Sequence, residues 1–273
     1  LVTRERLERV RDVGISRIAL SLDGPDAETH DHMRGFKGTF DRTMDILHTA
    51  QDVGLSVQVN TSVTRHTAPK LQELVPMLTD IGIVQWSVFF LVPTGRGQLD
   101  DMISAQQHED LFNWLWELSK ESPFDIKSTA AQHYRRVAIQ REKELAQAEE
   151  GHRSVTFAGA GFQYQDGLHR PMKGVNDGRG IVFISHTGDV CPSGFLPLVG
   201  GNVREQPLGE IYRDSTLFRE LRDTDLLKGK CGACEYRTVC GGNRGRAYAM
   251  TGDYLESEVL CVHEPATAAA ATA

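Results

Sequence analysis

Four cysteines near the C-terminal end of the chain are the residues with the clearest capacity for chemistry. Cys231 and Cys234 form a C-x2-C pair, Cys240 follows after five intervening residues, and Cys261 follows after twenty more. Two thiolates on one tight turn can reach the same metal, and thiolates are ligands of both zinc and iron-sulfur clusters. We therefore predict that these four residues bind one metal centre.

The spacing of these cysteines favours an iron-sulfur cluster. A zinc ribbon normally repeats its C-x2-C pair, whereas this chain has one pair, a C-x5-C step and a distant single cysteine. Four unligated core cysteines clustered around Gly241 and Gly242 would be unusual. A non-catalytic zinc-binding module is the alternative from a different functional class.

Composition and charge narrow the class of partner. The chain has 273 residues, a formal net charge of -7 and no basic block, so it lacks the electrostatic footprint of a protein that binds nucleic acid or an anionic membrane surface. No apolar run is long enough to span a bilayer. Small molecules or peptides are therefore the expected partners.

The cysteine count and the first residue indicate the context of the chain. Five cysteines, four of them in the last sixth of the sequence, do not match the disulfide framework of a small secreted domain, so we expect a reducing, cytoplasmic location. The chain opens on Leu1 without a charged and apolar leader. We expect it to be a piece of a longer protein.

The elements that must position the cysteines begin with a repeated βα pattern. Apolar, β-branched runs at residues 17–22, 55–63 and 84–92 predict buried strands. Amphipathic stretches at residues 39–53 and 71–81 predict the helices between them. The order is β-α-β-α-β.

Glycine turns support a repeated unit, because Gly14, Gly54 and Gly82 each stand just before a predicted strand. Either a doubly wound sheet or part of a (β/α) barrel fits this order, and in both architectures functional groups gather at the carboxyl ends of the strands. Those ends are predicted at residues 22–24, 60–62 and 91–93.

After residue 104 the sequence predicts helices, a loop and a short β-hairpin in place of the repeated βα units. Residues 105–120 predict a helix with an apolar stripe, residues 130–150 a charged and solvated helix, and residues 151–180 a glycine-rich loop. The later predicted elements are a β-hairpin with strands at 181–185 and 190–191, and short helices at 208–212 and 217–221.

The cysteine run and its neighbours resemble a known family. Cys231-x2-Cys234-x5-Cys240, with Gly-Gly-Asn-Arg-Gly-Arg-Ala-Tyr at 241–248 and Thr-Gly-Asp at 251–253, resembles the C-terminal auxiliary-cluster region, of SPASM or twitch type, of radical S-adenosylmethionine enzymes. Within that family it resembles the branch that modifies haem and related tetrapyrroles. Upstream, the segments at residues 21–25, 30–31 and 34–35 are similar to the fourth-strand region of the family's barrel.

The resemblance implies an α/β fold made of the later βα units of a partial (β/α) TIM-like barrel and a small SPASM/twitch-type domain with a β-hairpin and an iron-sulfur cluster. Residues 1–125 would be the C-terminal portion of the barrel and residues 126–180 a helical linker and loop. Residues 181–265 would form the auxiliary-cluster domain, and residues 266–273 a disordered tail.

The resemblance also implies which residues contact the nucleotide. Ser21 and Arg34 would contact the ribose or carboxylate of S-adenosylmethionine, Asn60 would be a neighbouring polar contact, and Leu91 would pack on the adenine. Cys231, Cys234, Cys240 and Cys261 would hold an auxiliary [4Fe-4S] cluster.

Two residues are candidates for direct roles in catalysis. Arg96 follows the third predicted strand, where a guanidinium could hold a substrate carboxylate through a two-pronged pair. Cys191 lies where other members of the family have a ligand for a second auxiliary cluster. It is a relic of that ligand, a catalytic thiol or a core residue.

The chain departs from the family pattern in two places. The C-x3-C-x2-C motif that binds the catalytic [4Fe-4S] cluster is not in these residues, and family order places it before Leu1. Arg244 stands where fuller members have a further cysteine. We therefore expect one auxiliary cluster, and we expect this fragment alone to be inactive.

The activity that the resemblance implies is radical chemistry on a substrate C–H bond. An upstream [4Fe-4S] cluster would reductively cleave S-adenosylmethionine, and the deoxyadenosyl radical would abstract hydrogen. The expected substrate is a tetrapyrrole side chain, and the alternative is a precursor peptide of a ribosomal natural product. The expected electron donor is a ferredoxin or flavodoxin, and no nucleic acid or membrane partner is expected.

Several other polar residues invite simpler interpretations. Asp23 precedes Gly-Pro and is predicted to cap its own turn. His30 and His32 have no third ligand near in sequence and are predicted to be surface groups. Arg244 and Arg246 could tune the charge of the metal site, bind substrate acids or cap a helix, and these alternatives stay open.

Overall fold

The first half of the chain forms a parallel sheet. The computed structural model describes residues 2–95, 97–148 and 175–266. Four strands hydrogen-bond in chain order, and every neighbouring pair is parallel. They are β1 (Arg17–Ser21), β2 (Ser56–Val63), β3 (Gln85–Phe90) and β4 (Asp125–Thr129).

Helices connect these strands and cover the sheet. They are α1 (Arg4–Asp12), α2 (Ala27–Arg34), α3 (Thr39–Asp52), α4 (Leu71–Ile81), α5 (Ala105–Glu121) and α6 (Tyr134–Ala148). The core lies between helices and sheet, where Leu47, Val59, Leu74, Trp86 and Leu115 are all fully buried. Parallel neighbours joined by helical crossovers are the pattern of a (β/α) barrel segment.

The three predicted strands and the helices between them are confirmed within one or two residues at each end. Gly54 and Gly82 adopt φ angles of 80° and 73°, so both take the left-handed conformation that ends a helix before a parallel strand. β4 was not predicted, because its sequence Asp-Ile-Lys-Ser-Thr is mostly polar and places Lys127 in solvent. The sheet therefore extends past residue 125.

The described residues 175–266 contain a small antiparallel sheet and four α-helices. The strands β5 (Phe183–Ile184), β6 (Asp189–Cys191) and β7 (Gly201–Asn202) pair in chain order, which confirms the predicted hairpin and adds a third strand. The helices are α7 (Leu208–Asp214), α8 (Thr216–Arg222), α9 (Gly229–Ala233) and α10 (Arg244–Thr251). Val190, Ile211 and Phe218 form a buried cluster beneath them.

Two predicted segments fall largely outside the described residues. They are the loop at 151–180, of which residues 175–180 are described, and the tail at 266–273, of which only Ala266 is described. Within the described ranges, none of the helices has both the length and the apolar character needed to cross a bilayer.

Candidate functional site

All four predicted metal ligands line one cavity in the C-terminal part. The cavity wall includes Cys231, Cys234, Cys240 and Cys261. Each of these is a free cysteine that is only partly exposed. The structure therefore brings together the four thiols that the sequence singled out, although they span thirty positions of the chain.

Short elements and tight turns position the four thiols. Cys231 lies in α9, and Cys234 is the residue that ends this helix. Cys240 precedes Gly242, whose φ angle is 61°. A Cβ atom at position 242 would lie 3.1 Å from the Sγ atom of Cys231 and 2.8 Å from the Cβ atom of Glu258. The glycine therefore keeps the cavity open where its backbone passes the sulfur.

Backbone N–H groups point at the sulfur atoms. Three of them donate to Sγ atoms at 3.3 to 3.4 Å: Glu258 to Cys231, Tyr236 to Cys234 and Gly242 to Cys240. The guanidinium of Arg244 adds a fourth donor, with Nη2 at 3.6 Å from the Sγ atom of Cys231. Hydrogen bonds to sulfur stabilise thiolates and tune iron-sulfur centres.

The separation of the sulfur atoms distinguishes between the two kinds of metal site. Around a single zinc with Zn–S bonds of about 2.3 Å, tetrahedral geometry places the sulfurs about 3.8 Å apart. Among the described residues, the one set of three ligating side chains with donor atoms within 4.8 Å of one another is Cys234, Glu235 and His263. No three of the four thiols are that close, so their arrangement fits the larger footprint of a multi-iron cluster better than one zinc ion.

Burial favours the protonated form of three of the thiols. Burial raises the pKa of Cys240 to about 12, and burial also raises the pKa values of Cys234 and Cys261. Metal binding needs thiolates, and a bound cation lowers a thiol pKa enough to deprotonate it. Cluster insertion should therefore release protons from this cavity.

Arg244 is buried beside the cysteines and does not face an open substrate pocket. Its side chain is only 2% exposed, and its Nη1 atom donates to the carbonyl oxygens of Tyr254 and Glu256 at 3.0 and 2.6 Å. With its contact to Cys231, the guanidinium braces the loop that carries Glu258 and places positive charge next to a predicted ligand. Of the alternatives left by the sequence, this favours tuning the charge of the metal site.

Arg246 joins the cysteine-bearing part of the chain to the parallel sheet. The side chain is fully buried, and Nη2 donates to the carbonyl oxygens of Leu91 at 3.0 Å and Ala130 at 2.8 Å. Its Nη1 atom contacts Oε2 of Glu258 at 2.9 Å. These contacts make Arg246 an interdomain clamp, so the hypotheses that it binds a substrate acid or caps a helix do not match its position.

Glu258 is the partner of this clamp and is 1% exposed. Burial acts to raise the pKa of its carboxyl group, but the charge of Arg246 and the other neighbouring groups, including the backbone N–H groups of Asn243 and Leu260, together outweigh burial, and the pKa falls to about 2. The carboxylate also accepts from the backbone N–H of Asn243 at 2.9 Å. Because Glu258 itself donates its N–H to Cys231, one residue touches both the metal site and the clamp.

The predicted nucleotide-contact residues lie at one edge of the sheet. Ser21 is the last residue of β1, and Asn60 lies in the second half of β2. The two residues are register partners in the parallel pairing of these strands. Leu91 follows β3 and is half-buried, and Arg246 binds its carbonyl oxygen. Arg34 ends α2 and is one-third exposed. Their contacts with S-adenosylmethionine stay a prediction.

Asp23 is a buried anchor and does not cap its own turn. Its Oδ2 atom lies 2.5 Å from Nη2 of Arg34, and its Oδ1 atom accepts from the backbone N–H of Ser62 at 2.8 Å. The prediction of a turn cap is therefore wrong, because a fully buried carboxylate needs a cationic partner and finds one in α2. This pair fixes the position of the Arg34 guanidinium.

The histidine predictions are half right. His32 is exposed, but His30 is 1% exposed and its Nδ1 atom accepts from the backbone N–H of Asp23 at 3.1 Å. Asp31 binds the first turn of α3 through Thr39 and the N–H of Phe40. These contacts tie α2 to the loop after β1 and to the start of α3.

The two candidate catalytic residues do not join the cysteine cavity. Cys191 is buried in β6 opposite Phe183, and burial raises the pKa of its thiol. It is not among the residues that line the cavity. Arg96 lies outside the described residues.

Two residues of the site escaped sequence reasoning. Glu258 lies in an unremarkable Glu-Ser-Glu-Val stretch, and His133 lies in the turn before α6, 98 positions before Cys231. Both line the cavity. Only the folded chain brings them there, so no local signal could have identified them.

Two family models match this chain. Residues 1–79 match the Radical SAM superfamily, and residues 176–235 match the SPASM iron-sulfur cluster-binding domain. The second match contains the C-x2-C pair of Cys231 and Cys234.

Curated relatives extend over nearly the whole chain. It is 40% identical over 269 residues to the AdoMet-dependent heme synthase of Methanosarcina barkeri and 41% identical over 267 residues to that of Nitratidesulfovibrio vulgaris. Each alignment covers 97% of this chain, and the chain covers 72% and 70% of the two relatives.

A solved structure shares the fold. The crystal structure of Streptococcus suis SuiB bound to the precursor peptide SuiA matches 96% of this chain with a TM-score of 0.67 at 17% identity, and the chain spans 57% of it. The predicted α/β partial barrel followed by a SPASM-type domain is confirmed, and the two domains imply S-adenosylmethionine and iron-sulfur clusters as cofactors. The chain belongs to the radical S-adenosylmethionine superfamily of iron-sulfur enzymes and is similar to its haem-forming branch.

Proposed function

We propose that this chain is the substrate-facing and auxiliary-cluster portion of a radical S-adenosylmethionine enzyme that modifies a tetrapyrrole side chain in haem formation. The observation that supports this most strongly is the convergence of four thiols on one cavity in a relative of heme synthases. Cys231, Cys234, Cys240 and Cys261 would hold one [4Fe-4S] cluster.

The sheet edge would bind the nucleotide. Ser21 and Asn60, adjacent in the sheet, would offer polar groups to the ribose or carboxylate of S-adenosylmethionine. Arg34 would add a cation held in place by Asp23. Leu91 would pack on the adenine, and its backbone is fixed by Arg246.

S-adenosylmethionine and the clusters would supply the radical and the electrons, and the protein would supply positioning. The clamp between Arg246 and Glu258 would hold the auxiliary site at a fixed distance from the nucleotide edge of the sheet. Electrons would come from a donor such as a ferredoxin or flavodoxin.

The first experiment identifies the metal that the four cysteines bind. We expect the anaerobically reconstituted protein to be brown, with broad absorption near roughly 400 nm from thiolate-to-iron charge transfer. About four iron and four sulfide per auxiliary site should accompany it. A colourless protein with about one zinc per chain would instead support the zinc-binding module.

A second experiment identifies the class of substrate by measuring which ligand the reconstituted protein binds. Titration of the reconstituted protein with an iron porphyrin that carries carboxylate side chains should shift the porphyrin absorption band and saturate. The alternative, maturation of a ribosomal peptide, draws on the fold shared with the peptide-bound SuiB structure, at 17% identity. Saturable binding of a precursor peptide without any response to the porphyrin would favour that alternative and overturn the tetrapyrrole proposal.

A further inference from the structure

His133 is a buried polar side chain whose hydrogen bonds are unaccounted for. It is 1% exposed, and neither ring nitrogen has a hydrogen-bond partner among the described residues. An unpaired buried donor costs about 1–3 kcal/mol, so such a group calls for an explanation. The ring lines the cavity that also contains the four cysteines.

The surroundings of His133 fix where its ring lies. The ring stacks on His108, with centroids 5.6 Å apart and planes at 29°, and meets the ring of Phe112 edge-on at 4.6 Å. The turn that carries His133 begins at Ala130, which has a φ angle of 56°, and Arg246 binds its carbonyl oxygen. A non-glycine residue in this left-handed region is strained, and the hydrogen bond from the buried Arg246 holds it there.

The protonation state of His133 makes it a hydrogen-bond donor without charge. Burial lowers its pKa well below the ordinary value, Glu258 opposes this, and His108, Arg246 and Arg136 reinforce it. A neutral imidazole always carries one N–H and one acceptor nitrogen. The acceptors missing from the protein around this ring are those that a cluster would provide, namely inorganic sulfide and thiolate sulfur.

We propose that His133 donates a hydrogen bond from its ring N–H to the auxiliary cluster and thereby raises the reduction potential of that cluster. A donor to sulfur stabilises the extra negative charge of the reduced state, so its removal makes reduction less favourable. The four thiols complete the iron ligands, which leaves His133 a positioning and tuning role outside the coordination sphere. This inference rests on the cluster proposed above.

The chain offers matched variants for the test. His133→Phe removes the donor and keeps an aromatic ring, and His133→Gln keeps an N–H donor on a side chain of similar reach. His108→Phe is the control, because His108 shares the buried stack with His133 but is not among the residues that line the cavity. A second control, His263→Gln, changes a cavity-lining ring that already has Glu235 as its partner at 3.0 Å.

Iron and sulfide are counted in each reconstituted protein before its potential is measured. The midpoint potential of the auxiliary cluster is then measured in a redox titration monitored by electron paramagnetic resonance. The signal of the auxiliary cluster is the one that does not change when S-adenosylmethionine is added. In His133→Phe we expect the equilibrium constant for reduction to fall about tenfold, which is 59 mV for a one-electron couple. His133→Gln should recover part of this shift, and His108→Phe should show none.

A potential in His133→Phe equal to that of the wild type, with a full cluster, would overturn the inference. If His133→Phe does not retain four irons, the wild type decides the question after labelling with 15N-histidine. A weak nitrogen coupling to the reduced cluster that disappears in His133→Gln and persists in His263→Gln supports the inference. No coupling, or a strong coupling typical of an iron-bound imidazole, contradicts it. A wild type that binds no iron would already have overturned the proposed function.

Discussion

The four cysteines of the site differ from the fifth in their surroundings, and substitution should separate them. Cys240 lines the cavity and accepts an N–H from Gly242, whereas Cys191 is buried in β6 and is not part of the cavity wall. We expect Cys240→Ser to lower iron affinity by about 100-fold or more, since even residues behind a ligand contribute 10- to 100-fold. The measurement is iron per chain after reconstitution.

Cys191→Ser is the control for that substitution, because it makes the same replacement of sulfur by oxygen at a cysteine that does not line the cavity. It should retain the iron content and absorption of the wild type. Loss of iron in both variants would contradict the assignment and make Cys191 a ligand.

Gly242 provides a second test at the level of a single residue. Its φ angle of 61° and the 3.1 Å approach of a Cβ atom to the Cys231 sulfur make Gly242→Ala both strained and obstructive. We expect a loss of about 2 kcal/mol in the free energy of unfolding together with impaired iron binding. Urea unfolding and iron analysis would measure the two effects.

The variant Gly252→Ala separates the effect of backbone strain from the effect of obstructing the cavity. Gly252 has a φ angle of 78°, but a Cβ atom there would meet nothing within 4 Å. It should therefore show a similar backbone cost and normal iron content. Equal iron loss in the two alanine variants would show that the cavity next to Gly242 is not the cause.

At the scale of elements, α10 connects the cysteine site to the sheet through one side chain. Arg246→Met would leave the buried carboxylate of Glu258 without its cation. Breaking a buried pair in this way costs about 3–5 kcal/mol, so we expect a large fall in unfolding free energy. Chemical denaturation would measure it, with Arg219→Met on the exposed side of α8 as control.

The double variant Arg246→Met/Glu258→Gln completes the cycle for this clamp. Removing both charges should cost less than the sum of the two single changes, because no unpaired buried charge remains. Strict additivity would mean that the two side chains do not interact, contrary to the 2.9 Å contact between them.

The same clamp should give stability a pH dependence. The folded-state pKa of Glu258 is depressed from an ordinary 4.5 to about 2. Its contribution is therefore fully present above a pH of about 4.5 and is lost as the pH falls toward about 2. Unfolding free energies of wild type and Glu258→Gln, compared from neutral pH downward, should converge across that window. A constant difference between them would contradict the depressed pKa.

At the scale of the whole molecule, sequence reasoning succeeded where signals were local. Hydrophobic period and glycine turns located β1, β2 and β3, and cysteine spacing located the metal ligands. It failed at β4, whose polar residues resemble a loop, and at Asp23 and His30, whose burial depends on distant partners. Arg246, Glu258 and His133 become interpretable only when two parts of the chain pack together.

The central claim is that this chain holds a four-iron cluster on Cys231, Cys234, Cys240 and Cys261, and Mössbauer spectroscopy tests it most directly. A chain reconstituted with 57Fe should show the delocalised iron pairs of a [4Fe-4S] cluster, which Cys240→Ser should lose and Cys191→Ser should keep. A spectrum of isolated tetrahedral iron, or iron displaced fully by one equivalent of zinc, would contradict the claim.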